Sequence, residues 1–163
     1  MSKLTEKVHD LYGEKLRVRV CGICFEGDDI LLVHHQGLGN GNSLWAPPGG
    51  GMQYGESAHE ALIREFEEET GLKIAVKRFL FVHEYLAPPL HGIELFFEVE
   101  VNSGLLKTGI DPEMEASEQL ITETGYKDLT RLKVQSPDSL HFVLQKINDA
   151  KAILNQSGYF KFH

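Results

Sequence analysis

Hydrophobic and polar positions change period several times along the chain. Ile93, Leu95, Phe97, Val99 and Val101 alternate with Glu94, Phe96, Glu98 and Glu100, a period that predicts a half-buried strand. Leu16 to Phe25 and Asp29 to His35 are β-rich runs, and Glu26-Gly27-Asp28 between them predicts a hairpin. Lys73 to Tyr85 reads as a strand or strand pair, and Tyr159 to His163 as an edge strand. Helical spacing takes over from Ser57 to Thr70, where Ala58, Ala61, Leu62, Ile63 and Phe66 supply the docking surface. That helix is marked at both ends: Ser57 with Glu60 forms a capping box, and Gly71 followed by Leu72 reads as a C-terminal glycine with its apolar contact. Ser136-Pro137-Asp138-Ser139 predicts the cap of a further helix over Leu140 to Leu154, with Phe142, Val143, Ile147 and Ile153 inward. Leu4, Val8, Leu11 and Tyr12 share a helical spacing that serves packing on a second copy or on the same domain equally well. Gln36 to Ser43, rich in Gly and Asn, reads as a flexible loop at the rim of the presumed site.

The chemistry concentrates on the Ser57–Thr70 helix. Glu65, Glu68 and Glu69 lie three and four residues apart, so they share one face and repel one another, just after the turn Pro48-Gly49-Gly50-Gly51. Converging carboxylates beside a free backbone carbonyl suit a hard divalent cation, Mg²⁺ or Mn²⁺, which also binds phosphate oxygens. Arg64 lies within the acidic run, where its guanidinium can hold carboxylates in fixed orientation. A run of glutamates alone describes a solvated helix face as well as a metal site.

The wider context decides between these readings. From Gly50 to Leu72 the chain reads G-x5-E-x7-R-E-F-x-E-E-x-G-L, with Gly50, Glu56, Arg64, Glu65, Phe66, Glu68, Glu69, Gly71 and Leu72 at the defining places. This resembles the Nudix box at every required position, and Leu44-Trp45-Ala46-Pro47-Pro48-Gly49 resembles the strand and turn that precede it in that family. The resemblance implies an α/β fold, an α/β/α sandwich around a mixed β-sheet, and Mg²⁺- or Mn²⁺-dependent hydrolysis of a nucleoside diphosphate linked to another moiety. It also implies roles. Glu68 and Glu69 would be metal ligands, Glu65 a ligand or the group that activates water, and the Gly49 carbonyl a further ligand. Glu56 would support the loop and metal shell, and Arg64 would orient the glutamates. Gln53 stands where many members carry an acid, outside the required pattern.

The implied mechanism is metal-assisted substitution at phosphorus, with a glutamate accepting the proton of the attacking water. In the family that base comes from the box or from a downstream loop. Asp111-Pro112-Glu113-Met114-Glu115 is the candidate loop here, with Glu113 or Glu115 as base or extra ligand, although an acidic Pro-containing loop also reads as plain linker.

Composition narrows the remaining classes. The 163 residues, 42% hydrophobic and 25% charged, suit a single domain spanning the chain, with its core over about residues 15–150. A net charge of -8, from 24 acidic and 16 basic residues, leaves no electrostatic footprint for nucleic acid. The start, Met1 to Lys7, is charged and no stretch approaches a membrane-spanning length, so the expectation is a cytoplasmic protein without a membrane partner. Cys21 and Cys24 form a C-x-x-C on a strand, where residues three apart face opposite ways, which reads as ordinary strand cysteines.

Substrate identity is less legible. Trp45, Tyr54, His83, Tyr85 and Phe96 are aromatic candidates for stacking on a base, each equally suited to packing, and the Ala87 to His91 loop has the reach to touch substrate. The loop Gly109 to Glu115 resembles those of ADP-ribose-type members, which favours ADP-ribose or a nucleotide sugar over dinucleoside polyphosphates or oxidised nucleoside triphosphates. Two other classes stand beside the hydrolase. A nucleotide-metabolite sensor on the same fold is disfavoured by the intact acidic set, and an isoprenoid diphosphate isomerase by the lack of a recognisable catalytic Cys and Glu outside the box.

Overall fold

The computed structural model describes residues 3–39, 42–112 and 114–162. Its strands form a five-stranded mixed sheet and a smaller antiparallel sheet. The larger sheet runs in the order β5 (Gly49–Gly51), β1 (Lys15–Ile23), β7 (Leu90–Gly104), β6 (Leu72–Ala87), β9 (Gly158–Phe162). The pairs β1–β7 and β6–β9 are parallel, while β1–β5 and β6–β7 are antiparallel. In the smaller sheet β3 (Asp29–Gln36) pairs with β2 (Phe25–Glu26), β4 (Ser43–Ala46) and β8 (Ile121–Lys127), all antiparallel.

Strand alternation sends successive side chains into different cores, which makes this a sandwich. Val20 and Leu31 join Ala61, Leu62 and Phe66 of α2 (Ala58–Thr70) on one side. Cys21, Ile30 and Leu32 join Leu129 and Leu132 of α3 (Leu129–Gln135) and Val143 and Leu144 of α4 (Phe142–Gln145) on the other. The C-x-x-C pair is divided the same way: Cys21 belongs to one core and Cys24 to the other, and both thiols are free. Helix α1 (Lys3–Tyr12) packs on its own domain, with Val8 in a buried cluster with Met114 and Leu120 against which Tyr12, Leu38 and Leu90 pack. Among the described residues, no helix is long and apolar enough to cross a membrane.

Several predicted elements differ in extent. The hairpin at Glu26–Asp28 is confined to Phe25–Ile30 and Glu26–Asp29 pairing, with Gly27 at φ 61° in the turn. The run before it leaves for the other sheet, where β1 lies between β5 and β7. The stretch from Leu72 to Ala87 is one long strand with irregular register at several points. The alternating strand β7 is covered on both faces: Glu94 and Phe96 are buried along with Phe97 and Val99. The predicted helix over Leu140–Leu154 is interrupted, α4 ending at Gln145 and a 3₁₀ segment occupying Ala150–Asn155. The cause lies in Asp149, whose side chain accepts from the Lys151 N–H and so starts a new turn instead of continuing the old one.

Candidate active site

The Pro48-Gly49-Gly50-Gly51 turn brings the backbone of β5 against α2. Gly49 has φ 155°, and a Cβ there would stand 1.9 Å from the Val20 carbonyl oxygen, so glycine is required. At Gly50 a Cβ would stand 2.3 Å from the Glu65 carboxylate carbon, so the missing side chain is what gives Glu65 its place. Helix α2 is fixed at both ends as its sequence predicts. Ser57 Oγ accepts from the Glu60 N–H, Glu60 accepts from the Ser57 N–H, and Gly71 at φ 74° closes the helix by donating to the Glu67 carbonyl.

Arg64 organises the acids. Its Nε and Nη2 donate to Glu56 at 2.5 and 3.0 Å, and its Nη1 donates to Glu65 at 2.8 Å and Glu68 at 3.2 Å. Nη2 also donates to the Gly51 carbonyl at 3.2 Å, tying the helix to the turn. Glu56 further accepts from the Gln53 N–H, and its carboxyl is held below the usual range by the Arg64 hydrogen bond. Glu69 is buried, accepts from the Gly49 N–H at 2.9 Å and lies 3.5 Å from His35 Nε2. Burial pushes the Glu65 carboxyl up to about 7 against the hold of Arg64, with the charges of Glu69 and Glu68 adding to the rise. Glu68 is also raised, by burial first and by the charges of Asp111 and Glu69. A divalent cation would favour the charged forms of Glu65 and Glu68 that burial opposes, and the hard oxygens of Glu65, Glu68 and Glu69 fit Mg²⁺ or Mn²⁺.

These acids stand at one side of a cavity of about 390 Å³ between the two sheets. Gly49, Gly50, Gly51, Arg64, Glu65, Glu68 and Glu69 all line it, while Glu56 supports Arg64 from behind. Of the predicted downstream loop, Ile110, Asp111 and Pro112 reach the cavity. Glu115 is exposed and is not among the lining residues, and Glu113 lies outside the described residues. Among the described residues of that loop, Asp111, whose charge acts on Glu68, is the acid that lines the site.

The aromatic candidates separate clearly. Trp45 and Phe96 are core residues, Phe96 stacking on Phe81 at 4.6 Å, and Tyr54 is fully exposed. Tyr85 lines the cavity with Phe142, their rings stacked at 5.8 Å. His83 is fully buried and bonded to Glu94. The sequence reading missed Arg19, Glu94, Phe142 and His141, which also line the cavity. The alternation of Arg17 and Arg19 with Val18 and Val20 held a signal for the first, whereas Glu94 was assigned to solvent by the period of its own strand.

Comparison with known proteins places this geometry. The family model of the NUDIX domain matches residues 15–140. An ADP-ribose pyrophosphatase of Methanocaldococcus jannaschii is 38% identical over 116 residues, covering 68% of this chain and 68% of that protein. A Bacillus subtilis relative is 31% identical over 116 residues, and the match covers 65% of this chain and 54% of that protein. Among solved structures, a NUDIX hydrolase from Nitrosomonas europaea superposes with a TM-score of 0.68 at 17% identity, covering 86% of this chain and 89% of that one. An ADP-ribose pyrophosphatase from Streptococcus suis gives a TM-score of 0.59 at 16% identity over 88% of this chain and 98% of that one, a likeness of fold. With a glycine turn, an arginine-ordered set of glutamates and a domain match over most of its length, this chain belongs to the Nudix hydrolase family.

Proposed function

We propose that this enzyme is a Mg²⁺-dependent pyrophosphohydrolase that cleaves the diphosphate bond of a nucleoside diphosphate linked to another moiety, with ADP-ribose as the favoured substrate. The observation that carries this reading is the convergence of Glu65, Glu68 and Glu69, ordered by Arg64, on one side of a cavity of about 390 Å³. That volume lies within the range of small-molecule sites. The M. jannaschii relative, named as an ADP-ribose pyrophosphatase, supports the substrate choice.

Glu65, Glu68 and Glu69, with the Gly49 carbonyl, would hold the ion. When bound, it supplies charge neutralisation for the diphosphate and lowers the pKa of a coordinated water. The protein's own contribution is placement. Arg64 keeps Glu65 and Glu68 from swinging apart, and the Gly49 N–H fixes one oxygen of Glu69. Glu56 completes the support by engaging two nitrogens of Arg64. The proton of the attacking water goes to a carboxylate, either Glu65 on the helix or Asp111 on the facing loop, and Glu65→Gln and Asp111→Asn separate the two by their loss of kcat.

The test is a panel of ADP-ribose, a dinucleoside polyphosphate, a nucleotide sugar and an oxidised nucleoside triphosphate, incubated with Mg²⁺ and resolved by product mass. ADP-ribose should be cleaved to AMP and ribose 5-phosphate with the highest kcat/KM. Failure to cleave any member of the panel overturns the proposal.

A further inference from the structure

The cavity lining carries a charge arrangement that the metal-binding set does not use. Its described arginines are Arg17, Arg19 and Arg64. Arg64 is committed to Glu56, Glu65, Glu68 and the Gly51 carbonyl, and Arg17 lies 3.9 Å over the Tyr12 ring. Arg19 differs. Among the described residues its polar contact is one ion pair, Nε to Glu94 Oε1 at 3.4 Å, too long for a strong hydrogen bond. A guanidinium has several N–H donors in a planar fork, so most of this one remains open to the cavity it lines.

Glu94 is held in a way that explains this openness. Its Oε2 is engaged by His83 Nδ1 at 2.6 Å and His141 Nε2 at 2.9 Å, with His83 fully buried beneath it. The carboxylate is therefore fixed between two imidazoles, and it anchors Arg19 by charge without occupying the guanidinium fork. Burial alone would push the Glu94 carboxyl up, but His141, His83 and Arg19 hold it well below the usual carboxylate range. The charges of Glu65 and Glu69 also act on Arg19, which stands opposite Gly51 in the β1–β5 register. The guanidinium thus lies between the acids of α2 and the Glu94 cluster, within the space a diphosphate would cross.

A His–Glu–His cluster also resembles a metal site, and the ligand atoms of His83, Glu94 and His141 lie within 4.8 Å of one another. Arg19 decides against that reading. Glu94 already has a cationic partner, so a divalent ion would add buried positive charge that no further acid of the cluster balances.

We propose that Arg19 binds an oxygen of the substrate phosphate that lies away from the acidic helix, and that Glu94, clamped by His83 and His141, is the residue that positions it. The chemistry is that of any arginine–phosphate pair: a planar fork meets a tetrahedral oxyanion through charge-assisted hydrogen bonds. In a protein of net charge -8, a half-buried cation beside the catalytic acids also gives an anionic substrate a place for its second phosphate. The proposal rests on the diphosphate-hydrolase reading for its substrate and not for its binding test.

The experiment compares wild type, Arg19→Gln, Arg19→Lys and Glu94→Gln, each checked for a cooperative thermal transition. It measures KM and kcat for ADP-ribose with Mg²⁺, and inorganic pyrophosphate binding by calorimetry. Arg19→Gln should raise KM by about 10- to 100-fold and weaken pyrophosphate to a similar degree, with kcat within about threefold of wild type. Arg19→Lys, which keeps charge but loses the fork, should fall between. Glu94→Gln should raise KM less than Arg19→Gln and leave kcat largely intact. An unchanged pyrophosphate affinity in folded Arg19→Gln overturns the assignment. A wild type that binds pyrophosphate through Arg19 yet cleaves no diphosphate retires the hydrolase reading and leaves this one standing.

Discussion

Replacing Gly50 by alanine tests the steric construction of the site without touching a charged residue. The added Cβ would stand 2.3 Å from the Glu65 Cδ and Oε2 and 2.5 Å from its Oε1, where ordinary contact begins at 3.4 Å. Glu65 must therefore retreat by about 1 Å, a displacement of the size that costs roughly 100-fold when it falls on a positioned catalytic group. Retreat also strains the 2.8 Å bond from Arg64, which shares its Nη1 with Glu68, so the disturbance spreads to a second acid. Gly50 is not in the left-handed region, so alanine is acceptable to the backbone, and the fold should lose only the ~1–3 kcal/mol of an overpacked contact. The assay is kcat for ADP-ribose hydrolysis beside a thermal melt. Gly125→Ala, whose Cβ would meet nothing nearer than 3.7 Å and which lies outside the cavity lining, is the control. A folded Gly50→Ala protein with turnover within about threefold of wild type would refute the placement of Glu65 and the estimate drawn from it.

Other consequences follow from the same contacts. Ser57→Ala removes the side-chain half of the capping box and should lower stability by about 1 kcal/mol in urea unfolding, with kcat unchanged. Because the Glu94 carboxyl is held well below 4.5 in the folded protein, its ionisation stabilises the fold above its unfolded value and that contribution disappears as pH falls through the folded value. Melts at decreasing pH should therefore show a steeper loss below about pH 4.5 in wild type than in Glu94→Gln. Mg²⁺ should raise the melting temperature by binding the folded state alone, and Glu69→Gln should blunt that rise because Glu69 is a buried member of the set.

The acidic helix was the most legible part of the chain because its signals are local. Ser57, Glu60 and Gly71 mark its ends within one turn of themselves, and the spacing of Glu65, Glu68 and Glu69 sets their common face without reference to any distant residue. Sheet partners were harder to read, since pairing is a long-range choice. Nothing near Leu16 or Phe25 announces that β1 leaves the hairpin to lie parallel to β7. Glu94 shows the same limit at a single residue: the alternation of β7 assigns it to solvent, but His141, 47 positions away, supplies the partner that makes its burial tolerable. The interruption after Gln145 was written locally in Asn148-Asp149, residues whose side chains compete for backbone N–H groups, and was outweighed by the apolar spacing around it.

Metal-dependent turnover is tested most directly by the hydrolysis of ADP-ribose by wild type and Glu68→Gln, with and without Mg²⁺, followed by product mass. The wild type with the metal should yield AMP and ribose 5-phosphate, with near-complete loss of turnover both in the folded mutant and on chelation. Near-normal turnover by folded Glu68→Gln, or hydrolysis that persists without a divalent ion, would contradict the metal-dependent mechanism.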